Sequence, residues 1–254
     1  MKVVISVVSH GHEHIIKNLK SLDNLSENFN VVIKSNKPGD DFSELSSKSQ
    51  VHWINNEKEY NLGFGENNNI IYRYCIDSLN LSSGDYFLVV NPDVSVQHDT
   101  ILSLVKRMTL NKNKVACLNL YKDEGFTIYD NSVRSFPSLT NYISSFLGLG
   151  NDSIINKSNI DDTCKVDWAA GSFLAFEAEH YKKLDGFDER YFMYCEDIDI
   201  CFRSHILGES VIFYPDLKAL HLAEHANRKL FSKHFYWHLS SVFRFLLTKY
   251  KHRT

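Results

Sequence analysis

Apolar positions divide the chain into short β-branched runs that alternate with amphipathic stretches. Lys2–Ser9 is a continuous apolar run, the pattern of a strand buried on both faces, and Gly11 ends it. Ile15, Ile16, Leu19 and Leu22 then recur at helical spacing, which predicts a helix over Glu13–Leu22. Asn30–Ser35 reads as a second strand, closed by the turn former Lys37-Pro38-Gly39-Asp40, and Val51–Asn55 as a third. Asn67–Leu79 sets Ile70, Ile71, Tyr74, Cys75 and Leu79 along a helix. Tyr86–Val90 is a fourth buried strand that stops at Asn91-Pro92-Asp93. Thr100–Leu110 is an amphipathic helix and Val115–Leu120 a fifth strand. Alternation at this pace predicts βαβ units: an α/β fold whose mostly parallel sheet is flanked by helices, with ligand groups beyond the carboxyl ends of the strands.

Beyond Tyr121 the pattern loosens. Polar turns and the element Arg134-Ser135-Phe136-Pro137 precede a short apolar helix at Tyr142–Leu149. Lys165–Phe176 reads as a strand interrupted by Gly171, Glu196–Leu207 as a helix, and Val211–Tyr214 as a last strand. Asp199 and Arg203 are spaced for an i,i+4 pair on that helix. With no internal repeat and no low-complexity linker, the expectation is one domain of two interlocked halves, 1–120 and 121–225, followed by a C-terminal segment, 226–254.

Composition adds little until charge is mapped. At 254 residues, 43% hydrophobic and 23% charged, the chain has the make-up of a soluble globular protein able to bury a full core. Five cysteines, odd in number and never in a CxxC pair, argue for reduced thiols and against a disulfide framework or zinc knuckle. Met1-Lys2-Val3-Val4 leads straight into a strand, and no apolar run approaches the ~20 residues that cross a bilayer, so the expected location is cytoplasmic. Seven Lys/Arg and no acids fall between Ala226 and Thr254, which leaves the remainder at −10 against a whole-chain charge of −3. A basic aromatic tail on an acidic body argues against a nucleic-acid partner and for an anionic surface met by one end. Residues Leu230–Tyr250, rich in Phe, Trp and Leu among basic residues, read as an amphipathic helix lying in a membrane interface or packed on the body or on a second subunit, a homodimer.

Several segments carry candidate chemistry. Tyr191-Phe192-Met193-Tyr194 runs into Glu196, Asp197 and Asp199 at a helix start. Acids there suit the positive end of the helix dipole; packed beside bulky apolar residues, at least one should also have a raised pKa and serve as a general base. Asn91-Pro92-Asp93 reads either as a turn or as a carboxylate holding Mg²⁺ against a diphosphate. Asn61-Leu62-Gly63-Phe64-Gly65 opens a helix and offers free N–H groups to an anion, yet lacks the dinucleotide fingerprint. His221 and His225 have HxxxH spacing, but Glu224 stands in the wrong place for a metalloprotease, leaving one histidine as support for a magnesium or manganese site. Trp168-Ala169-Ala170-Gly171-Ser172 combines an indole able to stack on a sugar with a glycine that admits close approach; core packing explains it equally.

The order of these motifs resembles the family 2 glycosyltransferases of GT-A fold, and most closely the bacterial rhamnosyltransferases that build O-antigen and related surface polysaccharides on a polyprenyl diphosphate. The resemblance rests on Val8-Ser9-His10-Gly11, Asn61-x-Gly63-Phe64-Gly65, Asn91-Pro92-Asp93, Ser132-Val133-Arg134-Ser135-Phe136-Pro137, Trp168-x-x-Gly171-Ser172, Phe192-x-Tyr194-x-Glu196-Asp197-x-Asp199 and His221. It implies a Rossmann-like mixed sheet and an inverting transfer from a nucleotide sugar, dTDP-L-rhamnose, to a polyprenyl-diphosphate-linked glycan at the inner face of the plasma membrane. It assigns Asp197 as general base with Glu196 beside it. Ser9, His10, Ser35, Asn61, Gly63, Phe64, Asn91 and Arg134 would bind the donor, with Arg228 a further phosphate neutraliser. Asp93 and His221 would hold a divalent metal, Mg²⁺ or Mn²⁺, and Trp168, Gly171 and Ser172 would meet the acceptor. Two positions depart from the family pattern: Asn91 replaces the first Asp of a DxD element, and Ser35-Asn36 stands where many members carry an Asp that pairs with the base. These leave another UDP- or dTDP-sugar donor, or a non-catalytic sugar-nucleotide-binding subunit, as alternatives.

Overall fold

The computed structural model describes residues 1–146, 148–150, 152–222 and 233–252. Strands β1 (Val3–Ser9), β2 (Asn30–Ser35), β3 (Val51–Ile54), β4 (Tyr86–Val90), β5 (Val94–Ser95) and β6 (Val115–Tyr121) are interleaved with helices α1 (Glu13–Leu19), α2 (Ser21–Leu25), α3 (Phe64–Leu79) and α4 (His98–Asn111). There follow β7 (Val133–Arg134), α5 (Leu139–Phe146), β8 (Cys164–Val166), β9 (Trp168–Ala169), β10 (Phe173–Glu177), α6 (Ala178–Lys183), α7 (Glu196–Ile206), β11 (Val211–His221) and α8 (Lys233–Lys251).

One nine-stranded sheet has the order β3-β2-β1-β4-β10-β6-β11-β5, with β8 added on β11. β1, β2, β3, β4, β6 and β11 run one way; β10, β5 and β8 run the other. The sheet is thus mixed and mostly parallel. Because β10 is inserted between β4 and β6, the two halves read from sequence share one sheet. Alternation along β1 feeds two cores: Val3, Ile5 and Val7 join the cluster containing Ile16, Leu22 and Leu104, while Val4 joins that of Ile71, Tyr181, Ile200 and Phe245.

Three buried asparagines weld α3 to its surroundings. Asn67 Oδ1 accepts from Lys34 Nζ (2.8 Å), Asn68 Oδ1 from Ser6 Oγ (2.7 Å), and Asn69 Oδ1 from the Tyr181 hydroxyl (2.7 Å) and the Phe187 N–H (2.9 Å). The Asn run after Gly65 is therefore a satisfied polar network inside the fold.

The structure corrects several expected elements. The helix expected over Glu13–Leu22 breaks at Lys20, which adopts φ 51°, so that Leu22 and Leu25 can reach the core from α2. The strand expected over Lys165–Phe176 is three strands: β8 and β10 in the main sheet, and β9 in a separate ribbon with β7. The last strand reaches His221, well past Tyr214. Pro215 lacks an N–H for the ladder, and the β6–β11 register shifts between Tyr214 and Lys218 before pairing resumes. The expected C-terminal helix is present as α8.

Candidate active site

The site forms beyond the carboxyl ends of β1, β2 and β4. Asn36, directly after β2, ties the first two of its walls together. Its N–H donates to Ser9 O (2.7 Å), its side chain donates to Leu62 O (3.0 Å) and accepts from Leu62 N–H (2.9 Å), and its carbonyl accepts from Asn61 N–H (2.8 Å). Asn61 takes φ 59°, which turns the chain into α3. Asn36 carries no predicted role, although its place after β2 was visible in the sequence.

Ser9 and Ser35 are fully buried. Ser9 Oγ accepts from His12 N–H (3.0 Å) and Ser35 Oγ from the Trp53 indole N–H (3.0 Å), so neither hydroxyl has surface left for a nucleotide. They end β1 and β2, at the strand ends where the site forms. His10 is exposed, and burial of its ring together with nearby Lys37 holds its pKa below the ordinary value.

The loop before α3 and the bend Tyr191–Cys195 that leads into α7 (the hairpin, below) touch at Gly63. Phe64 N–H donates to Phe192 O (3.1 Å), and a Cβ on Gly63 would stand 2.7 Å from that oxygen. Phe64 in turn lies against Gly171, where an added Cβ would meet Phe64 Cε1 at 3.0 Å and Asp197 Cβ at 3.7 Å. Gly171 is thus required small so that an aromatic ring and the candidate base can share its face.

Asp197 stands at the first turn of α7, half-buried, with Oδ2 accepting from Gly171 N–H (3.1 Å) and Oδ1 from Ile198 N–H (2.8 Å). Burial pushes its pKa up, against the pull of those N–H groups and of the Arg134 guanidinium. Glu196 is buried, its Oε2 has no hydrogen-bond partner among the described residues, and burial plus the charge of Asp197 raises its pKa well above the carboxylate range. Burial and mutual repulsion thus disfavour ionising both members of the pair together. Two successive non-glycine residues before them, Tyr194 (φ 71°) and Cys195 (φ 65°), lie in the left-handed region, a local strain of order 1–3 kcal/mol each. Asp199 faces inward instead: its Oδ2 accepts from Arg203 Nε (2.7 Å), the pair expected from the spacing.

Asp93 and His221 meet because β5 pairs with the end of β11, His221 opposite Val94, and Leu222 N–H donates to Asp93 O (3.1 Å). His221 Nε2 lies 3.5 Å from Asp93 Oδ1, and its Nδ1 is bonded to Asp130. Burial disfavours the imidazolium, but the bonds to Asp130 and Asp93 outweigh it and raise the pKa to about 9. Asp130 was missed from sequence; a Tyr121–Tyr129 bridge and its N–H bond to Leu120 O (3.0 Å) deliver it from a polar turn. Among the described residues no three His, Cys, Asp or Glu side chains are disposed to hold a metal unaided. Asp93 and His221, once its Nε2 gives up its proton, fit a magnesium or manganese ion that takes its remaining ligands from phosphate and water.

The β7–β9 ribbon supplies the remaining groups. Arg134 pairs with Trp168 across it, lies 5.5 Å over the indole, and donates from Nε to Asn131 O (2.8 Å). Trp168 is 6% exposed with Nε1 bonded to Ser135 O (2.9 Å). Asn91 is partly exposed, and its N–H donates to Ser172 O (2.9 Å), which sets the end of β4 against the Gly171-Ser172 turn. Ser172 is buried, its hydroxyl without a partner among the described residues. Arg228 and His225 lie outside the described residues.

No family model matches the chain. It is 39% identical over 253 residues to rhamnosyltransferase WbbL of Escherichia coli (strain K12), covering 97% of this chain and 93% of that protein. It is 27% identical over 173 residues to the N-acetylglucosaminyl-diphospho-decaprenol L-rhamnosyltransferase of Mycobacterium tuberculosis (strain ATCC 25618 / H37Rv), covering 65% of this chain and 56% of that one. The fold matches GalNAc-T7 solved with UDP, GalNAc and Mn²⁺ (TM-score 0.60, 13% identity, 87% of this chain and 44% of that chain). It also matches S. aureus TarS 1–349 in complex with UDP (TM-score 0.55, 14% identity, 87% and 60%). With a relative this similar over nearly its whole length, the chain belongs to the family 2 glycosyltransferases of GT-A fold, in their rhamnosyltransferase group.

Proposed function

We propose that the protein transfers L-rhamnose, with inversion, from dTDP-L-rhamnose to a saccharide carried on a polyprenyl diphosphate, a step in surface polysaccharide synthesis. The observation that carries the chemistry is the Glu196–Asp197 pair. A buried acid with a raised pKa lies beside a half-buried carboxylate whose oxygens are aimed by Gly171 and Ile198 N–H groups. Rhamnosyl specificity and the lipid-linked acceptor are supported by the names of the two sequence relatives.

In this reading Asp197 accepts the proton of the attacking acceptor hydroxyl. Its raised pKa makes it a stronger base than a solvated carboxylate. Glu196, neutral, removes a competing charge from the pocket. Ser172 Oγ and Glu196 Oε2 are buried polar atoms without partners among the described residues. Asp93 and His221 would hold Mg²⁺ or Mn²⁺; when bound, such an ion stabilises charge on the departing diphosphate. Asp130 fixes the His221 ring so that Nε2 faces Asp93. Arg134 adds positive charge beside the carboxylate pair. His10, Asn61, Gly63, Phe64 and Asn91 line the donor side, and Gly171 and Ser172 the acceptor side. Among the described residues no helix is long and apolar enough to cross a membrane, so the lipid-linked acceptor is met at the surface, with α8 as the contact.

Turnover of a panel of dTDP- and UDP-sugars on a short polyprenyl-diphosphate saccharide tests the assignment. Transfer from dTDP-L-rhamnose alone, with an α-linked product by NMR, is the expected result. Faster transfer from a UDP-sugar, or retention of configuration, overturns it.

A further inference from the structure

The outward face of α8 carries large apolar side chains that the described fold leaves open. Tyr236, Phe243, Leu247 and Tyr250 are 60, 58, 63 and 71% exposed. At about 100° per residue they fall in one stripe roughly 60° wide. α5 adds exposed Leu139 and Ile143, and it is joined to α8 by Lys249 Nζ, which donates to the carbonyls of Phe136 (3.2 Å) and Pro137 (3.0 Å). Neither helix contains an acid, whereas α8 carries Lys233, Arg244, Lys249 and Lys251. Apolar and aromatic side chains among cations suit the headgroup layer of an anionic bilayer. A second copy docking through the same face would set like charges against each other across a two-fold contact.

The inward face of α8 grips the hairpin that presents Asp197. His234 bonds the Tyr194 hydroxyl (3.1 Å), Trp237 packs on Phe192 (4.5 Å between rings), Ser241 Oγ donates to Met193 O (2.9 Å), and Arg244 lies 5.6 Å over the Tyr191 ring. α5 reaches the next residue through Tyr142, whose hydroxyl meets Cys195 Sγ at 3.6 Å. All five residues of the hairpin are therefore held by the two helices that bear the exposed stripe. Two of those five have left-handed φ values, conformations that persist only while the surroundings enforce them.

We propose that the α5–α8 stripe seats the protein on an anionic lipid surface, and that this seating stiffens Tyr191–Cys195 and fixes Asp197 in its working position. The inference deepens the proposed reading by placing the base where a lipid-linked acceptor lies, but lipid binding does not depend on which sugar is moved. The experiment compares the wild type with Phe243→Ser/Leu247→Ser on phosphatidylcholine vesicles with and without phosphatidylglycerol. Co-sedimentation and amide hydrogen exchange of residues 191–197 are read in parallel. The wild type should bind the anionic vesicles and show slowed exchange in the hairpin. The variant should bind them roughly tenfold or more weakly, with exchange unchanged by lipid. Without vesicles the two should melt alike. A Tyr236→Ser/Tyr250→Ser protein, altered nearer the helix ends, repeats the test should the first variant fold poorly. Equal binding by variant and wild type overturns the seat, and binding without slowed exchange overturns the coupling. Conversion of a wild-type dimer to a monomer by these substitutions assigns the stripe to a second copy instead. Vesicle binding with slowed exchange, in a protein that does not use dTDP-L-rhamnose, would uphold this inference while refuting the donor.

Discussion

Gly63→Ala isolates the contact between the loop before α3 and the hairpin in a single methyl group. Gly63 has φ −65° and ψ 161°, a conformation open to any residue, so alanine meets no backbone penalty there. The methyl would stand 2.7 Å from Phe192 O, 3.0 Å from Phe192 Cα and 3.1 Å from Tyr191 O. All three are backbone atoms, so no rotamer change relieves the clash, and the segments must separate by about 0.7 Å to restore the 3.4 Å of ordinary contact. The Phe64 N–Phe192 O bond, now 3.1 Å, then opens to roughly 3.8 Å and is lost. That loss is worth about 1 kcal/mol and overpacking about 1–3 kcal/mol, offset in part by about 0.4–1 kcal/mol from a stiffer unfolded chain. The expected net destabilisation is roughly 1–3 kcal/mol, a drop of roughly 2–12 °C in melting temperature for a chain of this size. Displacing the hairpin by this much should also lower kcat by roughly 10–100-fold. Thermal denaturation and steady-state turnover at saturating donor read the two effects. An alanine variant that melts and turns over like the wild type would refute the claim that the hairpin is positioned through this contact.

Three further substitutions probe separate parts of the site. Glu196→Gln should melt increasingly above the wild type as pH is raised beyond the ordinary carboxylate range. The raised pKa of Glu196 gives the wild type stability that is fully present below the unfolded value near 4.3 and is lost as pH climbs through the folded one. Parallel melting curves above that range would show that Glu196 is an ordinary carboxylate. Asp130→Asn should weaken Mn²⁺ binding roughly 10–100-fold by electron paramagnetic resonance, because His221 loses the carboxylate that orients it. In the metal-free protein it should also remove stability that the wild type holds below about 6.5 and loses as pH rises through about 9; unchanged Mn²⁺ affinity would count against the orienting role. Arg203→Met leaves Asp199, whose side chain is 2% exposed, as an unpaired buried charge, and also loses the bond to Gly186 O (2.9 Å). Urea unfolding should show a loss of about 3–5 kcal/mol, and a loss of a few tenths would place that pair outside the core.

Much of this architecture is written in local pattern, because strands buried on both faces must be apolar throughout. β2 and β4 match their expected bounds for that reason, and the acids of α7 start the helix where they were read. What escaped sequence reasoning depends on partners far away in the chain. Nothing at Lys20 signals a left-handed break; the need to bury both Ile16 and Leu25 imposes it. β5, β7 and β9 are two residues long, too short for any periodicity, yet they build the Asp93–His221 contact and the Arg134–Trp168 contact. Pro215 reads as a strand end, whereas the register shift lets β11 continue and carry His221 to Asp93. Asp130 sits in a polar turn like any other, and only the Tyr121–Tyr129 bridge brings it behind His221. Ser9, Ser35 and Trp168 show the converse: residue types suited to ligands that the fold spends on its own hydrogen bonds.

Single-turnover transfer by Asp197→Asn, measured beside donor affinity on the same protein, examines the central assignment most directly. The amide keeps the size of the side chain and can still accept the Gly171 N–H, but it cannot take a proton from the acceptor hydroxyl. Transfer should fall by roughly 10²–10⁴-fold with the donor dissociation constant unchanged. Transfer at near wild-type rate, or a loss of donor binding as large as the loss of rate, would contradict Asp197 as the base.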